Sequence, residues 1–324
     1  MRSRILLLAV VVIALVLPFQ VGTSTLTTAT FVVIAAISAT GLNVLTGYAG
    51  QISLGHAVFL AAGAYTGAVL GADHGWSALL WLPAAGIVAA ALGALVGPVA
   101  LRLRGLYLAI VTLGLVFIGQ HVFFNAESVT GGPQGRAFAP VVLGPFDFSP
   151  GQVLRIGGAQ IDHNGLYYFL ALALLACATA FAWSLRRSRA GRAMIAVRER
   201  ELAAGVMGVE VRRVKLAAFT AAAFMAGVGG ALYASYLSYA APGQWSLLLS
   251  IQFIAAVIVG GMGTVAGPLL GSAVVFALPQ VLERASFAPE VAPIAYGLLI
   301  VVFLVLQPRG LAGFFNNQPK GAHS

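Results

Sequence analysis

Between Gly47 and His56 the chain reads Gly-Tyr-Ala-Gly-Gln-Ile-Ser-Leu-Gly-His, setting Tyr48, Gln51, Ser53 and His56 between flanks that are otherwise apolar. Hydroxyls, an amide and an imidazole could hydrogen-bond a passing solute. Glycine breaks in such a run suit a discontinuous helix whose freed backbone groups face a pathway, because irregular backbone at membrane depth survives only where protein or water covers it. An ordinary loop between two apolar spans fits the same residues, and both readings stay open. Ser53 and His56 stand three apart in one stretch, too little to argue a nucleophile and its base. His56 taken alone, like His121, reads as a hydrogen-bonded packing residue. A second glycine-rich run, Gly260-Gly261-Met262-Gly263-Thr264-Val265-Ala266-Gly267-Pro268, resembles a phosphate loop only superficially. A phosphate loop needs Gly-Lys followed by Ser or Thr, and the lysines, Lys215 and Lys320, follow Val214 and Pro319. No HExxH zinc site, GxSxG elbow or pair of intramembrane carboxylates is present. The expectation is a chain without catalytic residues, metal site or cofactor, and without an ATPase site of its own.

The elements that must position these residues are membrane spans. The chain of 324 residues is 60% hydrophobic and only 8% charged, against roughly a quarter charged in soluble domains. At about 20 apolar residues per crossing, the sequence predicts an all-α, polytopic integral membrane protein of about ten transmembrane helices. They fall near 5–22, 26–46, 54–71, 77–98, 105–125, 165–185, 215–240, 246–262, 266–283 and 291–307. The whole chain, 1–324, is then one transmembrane domain. Within it, glycines recur every four residues at Gly63, Gly67 and Gly71, again at Gly263, Gly267 and Gly271, and at Gly93 and Gly97. That spacing puts them on one helix face, where they let backbones approach in lipid. Cys177, the single cysteine, excludes a disulfide framework and reads as a small core residue. All nine acidic residues fall in loops or at span ends, which disfavours proton coupling.

Charge concentrates in one island, about 186–215. It holds nine of the eighteen basic residues and three of the nine acidic ones. By the positive-inside bias this island, the Arg2/Arg4 terminus, the Arg102/Arg104 loop and the Arg309/Lys320 tail all lie in the cytoplasm, so both termini are cytoplasmic. Basic residues beside apolar spans suit membrane lipid, and the net charge of +9 is no argument for nucleic acid. Ala193 to Ala204 predicts a short helix with Ile195, Val197 and Leu202 as its apolar set and mixed charge outside, the pattern of a docking element or of a solvated, orienting face. The outer segment of about 125–165 is rich in Gly, Pro and Asp and reads as a small cap or a connector.

Five blocks in order resemble the permease subunit of high-affinity branched-chain amino acid ABC importers, LivM-like. They are GLNVLTGYAGQISLGHAVFLAAGAYTGA (Gly41 to Ala68), LRLRGLYLAIVTLGL (Leu101 to Leu115), AVRERELAAGVMGVEVRRVKLAAF (Ala196 to Phe219), IVGGMGTVAGPLLG (Ile258 to Gly271) and QPRGLAG (Gln307 to Gly313). The resemblance implies a channel-forming subunit in a bacterial plasma (inner) membrane. It implies partners as well: a second homologous permease, two cytoplasmic ABC ATPases and an extracytoplasmic solute-binding protein. It places the ATPase-coupling loop at Arg198, Glu199, Glu201, Ala203, Ala204, Met207 and Gly208, and a pathway for an amino acid beside Tyr48, Gln51, Ser53 and His56. Related branches carry urea, amides or sugars. From the residues alone, a secondary transporter or facilitator working by itself is the rival of another class.

Overall fold

A computed structural model describes residues 12–100, 106–138, 140–143, 146–156, 159–284, 294, 297–298, 301–302 and 310–314. Most of the expected tenth span, the 102–104 loop and the Arg309/Lys320 tail lie outside these residues. The chain is helical at 12–20 (α1), then in α2 (Thr23–Asn43), α3 (His56–Ala68), α4 (Ala78–Ala100), α5 (Leu106–Asn125) and the short α6 (Glu127–Thr130). Further along the chain follow α7 (His163–Arg187), α8 (Arg189–Glu199), α9 (Glu201–Val206), α10 (Val211–Leu237), α11 (Leu247–Gly260) and α12 (Gly267–Arg284). Among the described residues, six helical stretches are long and apolar enough to cross a bilayer: Thr23–Tyr48, Ala78–Pro98, Tyr107–Asn125, His163–Arg187, Val211–Leu237 and Pro242–Gly260. The shorter apolar Gly267–Leu282 joins them. The chain is an all-α, multi-pass membrane protein.

α2 and α10 form the axis. Every residue from Val33 to Ala49 is buried, because α2 packs against α7, α10, α11 and α12, while α10 covers α2, α3 and α4. A helix is the form that satisfies its own backbone in lipid, and α2 hides its side-chain polarity the same way. The Thr30 hydroxyl donates to Leu26 O (2.9 Å) and the Thr40 hydroxyl to Ala36 O (2.7 Å).

Small residues set the close crossings, as the four-residue spacing predicts. A Cβ on Gly63 would overlap the backbone of Gly227 in α10, and one on Gly271 would overlap Ala256 O in α11. Gly267 likewise faces the Gly260–Gly261 backbone, whereas Gly67 and Gly71 lie on the Trp81 ring. Gly93 and Gly97 of α4 meet Ala223 and Leu216 of α10. Gly263 is not a helical packing position. It sits in the α11–α12 loop at φ +79°, a conformation glycine adopts freely. Gly271→Val is expected to destabilise the purified protein by at least about 3 kcal/mol, the upper end for overpacked sites, since backbone cannot yield as a side chain can. A thermal unfolding scan in detergent against Gly271→Ser checks the grading.

The 125–165 segment carries short β-ribbons. β1 (Arg136–Ala137) pairs antiparallel with β6 (Tyr239–Ala240) after α10, while β2 (Val142–Leu143) with β3 (Phe146–Asp147) and β4 (Val153–Ile156) with β5 (Ala159–Asp162) make two more ribbons. An ion pair between Arg136 and Asp73 ties this segment to the end of the α3 region. The Ser149 hydroxyl and amide both donate to Asp147 Oδ1 (2.6 and 2.9 Å), holding its carboxyl below its ordinary value. Cys177 is exposed on α7 and not a core residue.

Candidate translocation site

The 47–56 stretch turns back inside the bundle. α2 widens into a π-helical turn, Val44–Tyr48, and the chain then runs non-helically from Gln51 to Gly55 before α3 begins at His56. His56 Nε2 meets Ser38 O at 3.2 Å. Ser38 lies ten residues before Tyr48 on the same helix, about 15 Å along its axis at 1.5 Å per residue. α3 therefore starts well within the bundle, and its thirteen residues run on without a break into a second π-helical turn, Val69–Asp73, so the helix covers about 25 Å of a roughly 30 Å bilayer core.

The backbone groups of the unwound piece are satisfied by protein, as that depth demands. Gln51 N–H donates to Leu45 O (3.1 Å), and Gln51 O accepts from the Thr46 hydroxyl (3.0 Å). Leu54 N–H donates to Thr112 Oγ1 (2.9 Å), Gly55 N–H to Ser53 Oγ (3.3 Å) and Ala57 N–H to Ser250 Oγ (3.0 Å). Gln51, Ser53 and His56 are buried, with the Gln51 side-chain oxygen unpartnered. Tyr48 points elsewhere: its hydroxyl reaches Ala182 O of α7 at 3.4 Å. The four residues thus lie on one unwound path but do not line one chamber.

Below this path three segments meet. Asn43 grips the α11–α12 loop with both ends of its amide: Oδ1 accepts from Gly263 N–H and Nδ2 donates to Thr264 O, each at 2.8 Å. Thr264 in turn caps α12, its hydroxyl accepting from Gly267 N–H at 3.0 Å. The third segment is α8, whose Arg198 guanidinium donates to Gly47 O and whose side chain packs on Gly50. Gly50 has φ +69°, and a Cβ there would stand 2.8 Å from Arg198 Cγ. Asn43 lies in the Gly41 to Ala68 block but is not among the residues the sequence singles out. Its only sequence signal is an amide inside an apolar run, where a polar side chain needs a partner.

The island itself is two helices. The single helix expected over Ala193 to Ala204 breaks at Arg200, which is extended (φ −149°, ψ 91°). Ser188 caps α8 by accepting from Gly191 N–H (3.1 Å). Met194, Val197 and Ala204 turn inward, whereas Leu202, Val206 and Met207 are 72, 88 and 83% exposed. Glu199, Ala203 and Gly208 are also on the surface. An open cleft of about 350 Å³ runs between α8 and α9, lined by Ala196, Glu199, Arg200, Ala203, Ala204 and Met207 among others. Glu201 faces α10 instead, pairing with the buried Lys215 ammonium at 2.9 Å. Glu201→Lys sets two cations together and is expected to speed amide exchange across 201–206 about tenfold, near 1.4 kcal/mol of local stability. Adding Lys215→Glu should restore slow exchange, as hydrogen exchange with mass spectrometry can read.

Above the path lies a cavity of about 170 Å³ between α2, α10, α11 and α12. Ser38, Gln252 and Gln280 are among its lining residues. Among the described residues no group of three or more His, Cys, Asp or Glu side chains comes together.

A multi-pass helical bundle with one helix broken in mid-depth, a cavity above the break and a polar two-helix appendage below it defines a membrane transport protein. More narrowly, residues 24–304 match the family described as branched-chain amino acid transport system / permease component, and the chain belongs to it. It is 35% identical to the high-affinity branched-chain amino acid transport system permease protein LivM of Escherichia coli (strain K12), over 96% of this chain and 75% of that protein. The permease protein LivH of the same organism is 24% identical over 86% of this chain and 91% of its own length. The fructose import permease protein FruG of Bifidobacterium longum (strain NCC 2705) is 26% identical over 63% and 59%. No solved structure is significantly similar to the chain.

Proposed function

We propose that this permease forms one half of the translocation pathway of an ATP-driven importer for branched-chain or closely related amino acids. It sits in a bacterial inner membrane with both termini and the α8–α9 appendage in the cytoplasm. Its partners are a second homologous permease, two ATPases that dock on α9 and its cleft, and an extracytoplasmic solute-binding protein that meets the β-ribbon cap. The chain itself performs no hydrolysis.

One observation carries the reading. Leu202, Val206 and Met207 stand exposed on a short helix in an otherwise charged, water-facing island, and exposed apolar clusters of this kind mark protein contacts. The same appendage is tied through Arg198 to Gly47, so movement imposed on α9 reaches the unwound segment. Glu199, Ala203, Met207 and Gly208 then form the ATPase-contacting surface with Leu202 and Val206, while Ala204 packs behind them. Glu201 holds α9 to α10, and Arg198 carries the movement inward.

The test is composition. Pull-down of the tagged chain from its native membrane should bring down a protein with a Gly-Lys phosphate loop, a second permease and, with ligand present, a binding protein. Isolation as a single species that takes up solute down a sodium or proton gradient makes it a secondary transporter instead. A binding protein that holds urea, an amide or a sugar moves the solute and keeps the architecture.

A further inference from the structure

The 170 Å³ cavity lies among α2, α3, α10, α11 and α12, beside the start of the broken helix, and its walls are of two kinds. One carries Ser38, Gln252 and Gln280; the other carries rings, among them Phe31, Tyr233 and Phe276. Ser38 is fully buried, and its hydroxyl has no hydrogen-bond partner. A helical serine ordinarily returns its hydroxyl to the carbonyl four residues back, as Thr30 and Thr40 do on this same helix. An unsatisfied buried hydroxyl is costly, so a ligand group placed there gains what the protein alone forgoes. Gly229 lies beside it; a Cβ at that position would overlap Ser38 Oγ.

We infer that this cavity is a binding site for the transported solute, and that it takes a small α-amino acid with an aliphatic side chain. The inference rests on the reading of the chain as an amino acid permease and gives that reading a site. No Asp, Glu, Lys or Arg lines the space, so a solute of net charge is not matched, whereas a zwitterion brings both charges and cancels them. Its carboxylate accepts from the Ser38 hydroxyl and a glutamine N–H. Its ammonium meets a glutamine oxygen and the faces of the rings, which attract cations. The aliphatic body lies against Ile34, Leu60 and Phe276. A polyol asks for hydrogen-bond partners around its whole rim and finds them on one wall.

The cavity also rests on the broken helix. His56 contacts Ser38 O (3.2 Å) and stands edge-on to Phe253, a lining residue, with ring centres 5.2 Å apart. Filling the space therefore bears directly on the start of α3.

The experiment uses the complete reconstituted importer with Cys177→Ser, which removes this chain's only thiol, and Ala35→Cys on the cavity wall. A methanethiosulfonate reagent labels position 35, read on this chain, with and without saturating leucine, valine, fructose or urea. Leucine and valine should each slow labelling at least about threefold, as expected when ligand occupies most of the sites, while fructose and urea leave it unchanged. In parallel, Ser38→Ala and Gln280→Leu should each raise the KM for leucine about tenfold, the scale of one net hydrogen bond, with ATP hydrolysis at saturating leucine retained. Protection by fructose or urea instead of leucine overturns the assigned solute class. Unprotected labelling with unchanged KM, in vesicles that take up leucine, reduces the cavity to a hydrated packing space and leaves the permease reading intact. Absence of any amino acid uptake in the unsubstituted importer counts against the permease reading itself, and leucine protection remains readable without it.

Discussion

Leu202→Glu with Val206→Glu should abolish ATP-driven uptake while leaving the permease folded and inserted. Both side chains are among the most exposed apolar groups in the protein, at 72 and 88%. Neither is buried against the described residues, so local stability should change by less than about 0.5 kcal/mol. Their cost falls on the partner. Apolar residues at the centre of an interface are worth roughly 2 kcal/mol or more each when removed, and burying a carboxylate there adds a desolvation penalty. Weakening of the ATPase complex by at least about thirtyfold follows from one such residue alone. Co-purification against a titration of ATPase reads it directly. Normal ATPase association by this double variant places the contact elsewhere.

Arg198→Met is the second large expectation, and its signature is opposite. The ATPases should remain bound, because Arg198 lies on α8 rather than α9 and its guanidinium, on an otherwise exposed side chain, is engaged on Gly47 O of α2. What is lost is the charge-assisted bond to the α2 terminus, worth roughly 1.5–3 kcal/mol for such donors. Coupling between hydrolysis and uptake should therefore fall about ten- to a hundredfold, with hydrolysis persisting at a rate near that of the parent complex. Arg198→Lys keeps a charge at one donor point and should recover part of the coupling. Loss of hydrolysis and uptake together would instead make Arg198 part of the ATPase contact.

The architecture was legible because lipid imposes it. Apolar runs near 26–46, 77–98, 105–125, 165–185, 215–240 and 246–262 reappear as long helices, since a backbone in hydrocarbon has few alternatives. At Gly63, Gly267 and Gly271 an added Cβ would overlap neighbouring backbone. Gly263 failed because four-residue spacing carries across a helix end unnoticed, and the positive φ that makes it a loop residue leaves no mark on sequence.

The site was less legible, for definite reasons. Glycines in 47–56 announced a break, yet its depth depends on where His56 lands against Ser38, a contact made across the bundle. Asn43 holds two loop atoms and went unnoticed among apolar neighbours. The α8–α9 break falls at an arginine, with no Gly or Pro to signal it. Charge patterning found the island but not the sides of its helices. Glu201 turned to Lys215, and Leu202, grouped with the apolar set that packs inward, faces out. Side-chain direction around a two-helix corner is set by the break, which periodicity cannot see.

The central claim is that work enters at α9 and opens a path for an amino acid. The direct measurement is initial leucine uptake into proteoliposomes holding binding protein, both permeases and both ATPases, against the same vesicles without ATPases. With ionophores collapsing every gradient, uptake is expected only in the first set, only with ATP inside the compartment that α9 faces, and not with the Leu202→Glu/Val206→Glu variant. Leucine uptake by this chain without ATPases, driven by an imposed ion gradient, contradicts the account.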